Sequence, residues 1–131
     1  MTDDLAFVKR LYAAFAAGDL PGFTRHLHPE VRWCEAESNP YADGNPYVGV
    51  DAVVEGVFAR LAADWDGFAV EVGELVGGGG VVTMFGRYRA THRASGKRLD
   101  VQVAHTWWLR GGKVTRFQQM VDTAKLLAAT A

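Results

Sequence analysis

The stretch from Val101 to Val121, VQVAHTWWLRGGKVTRFQQMV, constrains this chain more than any other. Arg110-Gly111-Gly112-Lys113 reads as a tight turn between two strands. Successive side chains in a strand point to opposite faces. Val101, Val103, His105, Trp107 and Leu109 therefore share one face, and Gln102, Ala104, Thr106, Trp108 and Arg110 share the other. His105 is the titratable exception on an apolar stripe. An imidazole on such a face needs a hydrogen-bond partner or a chemical task.

Two further strand-like runs precede these two with the same period. Phe68 to Val76, Val81 to His92 and Arg98 to Leu109 precede Val114 to Val121, with the four-glycine run at 77–80, Ser95-Gly96-Lys97 and Gly111-Gly112 as turns. The four glycines lead into a strand and lack a following Lys-Ser/Thr, so they do not read as a phosphate loop. Upstream the period is helical. Leu5, Val8, Leu11, Tyr12 and Phe15 make one face of a helix over 3–17, and Gly18 stops it. Asp19 caps a second, short helix with Pro21 in its first turn, which Pro29 ends. Val31 to Glu35 then reads as a short strand. Residues 36–49, with Pro40, Pro46, Asn39, Asn45, Asp43 and Gly44, form a loop long enough to suggest a functional role; whether it closes as a lid stays open. Asp51 is the expected cap of a third helix to about Ala63, with Val54, Val57, Phe58 and Leu61 inward. Asp122 is the expected cap of a last helical turn or two over 123–129.

Helices first and an antiparallel meander after them predict an α+β fold: three N-terminal helices packed on a curved, mainly antiparallel sheet, as a single domain over 1–131. Such a cone leaves an apolar mouth suited to a ligand. Hydrophobic residues make up 49% of the chain, enough for a core, and the net charge of -1 argues for neither nucleic acid nor membrane as partner. Arg87, Arg89, Arg93, Lys97 and Arg98 cluster around one hairpin and read as a solvated, aggregation-resistant edge. Cys34 is alone and is read as an inert thiol. The Met1–Asp4 start lacks a signal peptide's basic region, and no run is long and apolar enough to cross a bilayer, so a cytoplasmic protein is expected. His26 and His28 lie two apart with no third ligand fixed, and neither a metal nor a cofactor is expected.

LYAAFAAGDLPGFTRHLHPEVRW, NPYVGVDAVVEGVF and HTWWLRGGKVTRFQQMVDTAKLL resemble, in that order, the opening helices, the lead into the third helix and the closing hairpin of the NTF2-like superfamily. Within it the chain is similar to SnoaL-like and ketosteroid-isomerase-like proteins. The resemblance spans nearly the whole chain and implies the cone fold; the chemistry is left open, because this fold carries isomerases, cyclases, dehydratases, hydrolases and non-catalytic binders. It also implies positions. The proton-shuttling carboxylate of the isomerases falls at Glu35. Their two oxyanion donors fall at Leu11, one residue before Tyr12, and near Ala104, beside His105, so neither is retained. The histidine of the SnoaL-type cyclases falls at His105, while their aspartate falls at Gln119, which cannot act as a base.

The candidate catalytic residues are therefore Glu35, as a base whose pKa burial would raise, and His105, as hydrogen-bond donor or proton relay. Tyr12, Trp33, Tyr88, Trp107 and Phe117 would line a flat aromatic cavity, with Gln119 as a polar contact. The expected activity is cofactor-independent acid–base chemistry on a small apolar carbonyl compound: isomerisation, cyclisation or dehydration. The alternative is a non-catalytic small-molecule-binding module. The outer sheet face with Trp108 predicts a homodimer, as the resemblance also implies.

Overall fold

The computed structural model describes residues 3–131. Helix α1 (Asp4–Ala16) is capped by Asp3, whose carboxylate accepts from the Ala6 amide at 3.0 Å, and it ends before Gly18 at φ +69°. Its buried face is Phe7, Val8, Leu11 and Tyr12. Helix α2 (Leu20–Thr24) is capped by Asp19 and buries Phe23. The reading of the N-terminal start falls in part on residues 1–2, outside the described residues.

Strand β1 (Leu27–Cys34) begins four residues before the expected Val31 and runs through Pro29. Its parallel pairing with β6 is irregular between Leu27 and Arg32. Pro29 lies in that gap, where its missing N–H breaks no ladder bond. The following loop contains a 3₁₀ turn (Pro40–Gly44) and a two-residue strand β2 (Tyr47–Val48) antiparallel to β1.

The third helix is continuous but not uniform: α3 (Val50–Val53), a π turn (Val54–Phe58) and α4 (Ala59–Asp64). Its cap is Gly49 at φ +90°, not Asp51, which sits two residues on in the first turn. The wide π turn rotates the face, so Val53 and Val57 are buried and Val54 is only half-buried.

Four long strands follow as a meander: β3 (Trp65–Gly78), β4 (Val81–His92), β5 (Arg98–Arg110) and β6 (Lys113–Val121). Helix α5 (Thr123–Thr130), capped by Asp122, packs back on β5. The sheet order is β2-β1-β6-β5-β4-β3, antiparallel except for the β1–β6 pair. The architecture is α+β, with helices on one face of an open, curved, mixed sheet. Three of the four arginines of the β4–β5 region are paired with carboxylates: Arg87 with Asp100 at 2.7 Å, Arg93 with Asp66 at 2.7 Å, and Arg89 with Glu71.

Register places the site. On the face toward the helices, one row across the sheet is Val82, Trp107, Phe117 and Trp33. The next row is Met84, His105 and Gln119. On the outer face Phe85, Ala104 and Met120 make a row, with Phe85 50% and Met120 59% exposed.

Candidate functional site

The inner rows and the helices above them enclose a small cavity. Tyr12 from α1, Trp33 and Glu35 from β1 and its end, Tyr88 from β4, and His105, Trp107 and Phe117 from β5 and β6 line it. Phe15, Phe58, Leu61 and Phe68 complete the wall at its half-exposed side. Its volume is about 40 Å³, near the share of one water molecule in the liquid. Trp33 and Phe117 stack with centroids 3.8 Å apart, and Trp107 meets Phe117 edge-on at 4.6 Å. These rings occupy much of the space a ligand would use.

Glu35 is buried. Its side chain accepts from Trp33 Nε1 at 3.3 Å, while its backbone is held by Asn45, which accepts from the Glu35 N–H at 3.0 Å and donates to the carbonyl at 2.7 Å. Neither Arg32 nor Arg116 pairs with it. Burial disfavours the carboxylate and pushes its pKa up to about 7, and the Trp33 N–H offsets this only in part.

His105 is buried with both ring nitrogens engaged. Nδ1 lies 2.6 Å from the Tyr12 hydroxyl and Nε2 bonds the Tyr88 hydroxyl. Burial holds its pKa at about 3, so the ring is neutral at any ordinary pH. Burial also raises both phenols above their ordinary value, first among the causes in each case. For Tyr88 the Glu35 charge adds to this.

The two ends of this network are fixed by groups whose direction is certain. Trp107 Nε1, which can only donate, gives its hydrogen to Tyr12 at 2.9 Å. At the other end the Ala36 amide donates to Gln119 Oε1 at 3.2 Å, and Asn39 Nδ2 donates to the same oxygen at 2.7 Å. Gln119 must therefore present its nitrogen to Tyr88, at 2.9 Å. Asn39 is oriented in turn by the Tyr41 amide, which donates to its side-chain oxygen at 2.9 Å.

The structure thus brings seven of the eight sequence candidates onto one cavity wall, and sets Gln119 one bond behind Tyr88. The wall residues the sequence reading left out, Phe15, Phe58 and Phe68, lie on apolar faces indistinguishable from plain core. Asn39 gave no signal at all: a buried loop asparagine looks like any turn residue until its partner is known. The loop is docked: Arg60 bridges to Asp43 at 2.7 Å, Tyr47 donates to the Tyr41 carbonyl at 2.6 Å, and Tyr41 donates to Asp64 at 2.8 Å. Among the described residues no group of three or more metal-ligating side chains converges, and no helix is long and apolar enough to cross a membrane.

Helices packed on one face of an open, curved, mixed six-stranded sheet are the fold of the NTF2-like proteins. Sequence comparison refines it. The SnoaL-like domain matches residues 8–117, and the chain belongs to that family. An uncharacterized protein of Mycobacterium tuberculosis is 32% identical over 123 residues, covering 91% of this chain and 90% of its own length. An NTF2-like protein of Burkholderia thailandensis superposes with a TM-score of 0.94 at 32% identity, over 100% of this chain and 99% of that one. TerC, crystallised with polyporic acid, superposes with a TM-score of 0.85 at 25% identity, over 96% of each chain.

Proposed function

We propose that the protein is a cofactor-independent enzyme that uses acid–base chemistry on a small, apolar carbonyl compound. The observation that carries this reading is Glu35: a buried carboxylate on an apolar cavity wall, accepting from one side-chain donor, with its pKa pushed up to about 7. A base is most effective when its pKa lies near the working pH. Glu35 takes a proton from the carbon beside the carbonyl. His105 supports the charge that develops on the oxygen, acting through the phenol hydroxyls that hold both its nitrogens. Isomerisation, cyclisation and dehydration all begin with that step. Tyr12, Trp33, Tyr88, Trp107 and Phe117 shape the pocket for a flat ligand, and Gln119 directs Tyr88.

The test is solvent deuterium uptake at the carbon beside the carbonyl across a panel of cyclic ketones. Glu35→Gln and His105→Ala should each slow exchange by at least about a hundredfold. Exchange that survives both substitutions rules the mechanism out.

The second reading is a binding module without turnover. The observation that favours it is the cavity volume of about 40 Å³, far below that of an ordinary ligand pocket. A ligand larger than a few atoms requires the wall side chains to move apart. That TerC was crystallised with polyporic acid supports an organic ligand in a cone of this shape under either reading. A homodimer through the outer sheet face and a cytoplasmic setting belong to the proposal. The exposed Phe85 and Met120 support the first, and the free thiol of Cys34 is compatible with the second.

A further inference from the structure

The hydrogens around His105 do not balance. Tyr12 accepts from Trp107 and Tyr88 accepts from Gln119, both in fixed directions. Between them sits a neutral imidazole with one N–H and one bare nitrogen. If Nε2 carries the hydrogen, it donates to Tyr88, and Tyr12 donates to Nδ1. The Tyr88 oxygen then accepts twice and its own hydrogen has no acceptor. If Nδ1 carries it, the pattern inverts, and the Tyr12 hydrogen is left over. In neither state do the two tyrosine–histidine contacts use the three hydrogens present. Among the described residues neither hydroxyl has a further hydrogen-bond acceptor, although every buried side-chain oxygen and nitrogen there has some partner.

We infer that Tyr12, His105 and Tyr88 form a two-state donor, in which the imidazole tautomer decides which phenol offers its spare hydrogen to the carbonyl oxygen of an uncharged ligand. Tyr12 and Tyr88 both stand on the cavity wall, so the donor moves from one side of His105 to the other without any change of charge. A buried hydroxyl with no acceptor is unfavourable, and a carbonyl oxygen supplies what it lacks. The choice of ligand class rests on the function proposed above; the tautomer assignment does not.

The test separates the two. In protein labelled with ¹⁵N-imidazole histidine, His105 is identified among the four histidines by the signal lost in His105→Gln. An orphaned N–H is worse than an orphaned lone pair. Tyr12→Phe should therefore put the hydrogen on Nε2, still bonded to Tyr88, and Tyr88→Phe should put it on Nδ1, still bonded to Tyr12. The same tautomer in both variants overturns the inference, and so does a doubly protonated ring in the wild type at pH 7. For the ligand, 1-indanone and indane have one shape and differ in the oxygen. Wild type should prefer the ketone by about fivefold or more, the scale of one hydrogen bond. Each single variant, keeping one donor, should retain most of that preference, and Tyr12→Phe/Tyr88→Phe should lose it. An equal preference in wild type and double variant overturns the ligand assignment. Neither readout requires turnover, so loss of the proposed chemistry in Glu35→Gln leaves this test intact.

Discussion

Glu35 is the sole buried carboxylate among the described residues, and its position works against stability whenever it is ionised. Glu35→Gln keeps a group able to accept from Trp33 and removes the charge. It should raise the midpoint of thermal unfolding at pH 8 while abolishing any turnover; a variant less stable than wild type at that pH would contradict the burial argument. Asn39 makes the opposite case. It holds Gln119 through one 2.7 Å bond and is itself buried, so Asn39→Ala leaves Gln119 Oε1 with the Ala36 amide alone and takes the acceptor from the Tyr41 amide. A loss of about 1–3 kcal/mol in urea unfolding is expected. His105 stood out in the sequence because a titratable group on an apolar stripe is conspicuous, whereas Glu35 was placed by the resemblance to the isomerases. Tyr12 and Tyr88 could be placed inward by period alone. That both would bind the same imidazole could not, since one comes from a helix 93 residues away and the other from a neighbouring strand.

At the level of elements, legibility followed periodicity. Strand β4 runs Val81–His92 as the alternation predicts, because glycine turns punctuate both ends. Strand β1 was misjudged because proline normally ends an element, and only pairing with a strand far along the chain shows that its N–H is not needed. The third helix keeps Val57, Phe58 and Leu61 of its expected face and buries Val53 in place of Val54 at a π turn, which leaves no compositional mark beyond Gly56. That glycine has a packing reason: a Cβ there would lie 2.1 Å from the Tyr47 ring. Tyr47 is buried and bonded to the Tyr41 carbonyl, so it cannot yield freely. Gly56→Ala should therefore destabilise, by about 1–3 kcal/mol, despite alanine's better helix propensity. Amide exchange across 40–48 should rise at the same time; a stabilised variant would show that the loop is not docked as described. The outer row Phe85–Ala104–Met120 carries its own prediction. Phe85→Glu/Met120→Glu should turn a dimer into a monomer in sedimentation at micromolar concentration, and a wild type already monomeric there would remove the proposed interface.

For the molecule as a whole, the two buried titratable groups act on stability in opposite directions. Glu35 lies at about 7 in the folded protein against an ordinary 4.5. Between those values the unfolded chain has lost a proton that the folded chain keeps, so stability falls as pH rises, by about 1.4 kcal/mol per unit. His105 lies at about 3 against an ordinary 6.5. Between those values the unfolded chain has gained a proton that the folded chain refuses, so stability rises with pH at about the same slope. From pH 4.5 to 6.5 both windows are open and the two slopes cancel. Wild type should therefore show a plateau there as far as these groups are concerned, bounded by His105 on the acid side and Glu35 on the basic side. Removing either group should tilt it. Relative to wild type across those two units, Glu35→Gln should gain about 3 kcal/mol of slope toward high pH and His105→Gln should lose about as much. Urea unfolding at three pH values reads both, and the exposed carboxylates, common to all three proteins, drop out of the difference. Tilts of the same sign in the two variants would mean that one group is not buried in the state assigned to it. Opposite tilts would establish a protonated carboxylic acid and a neutral imidazole on one cavity wall at mildly acid pH, so the proposed base becomes available only as pH rises through about 7.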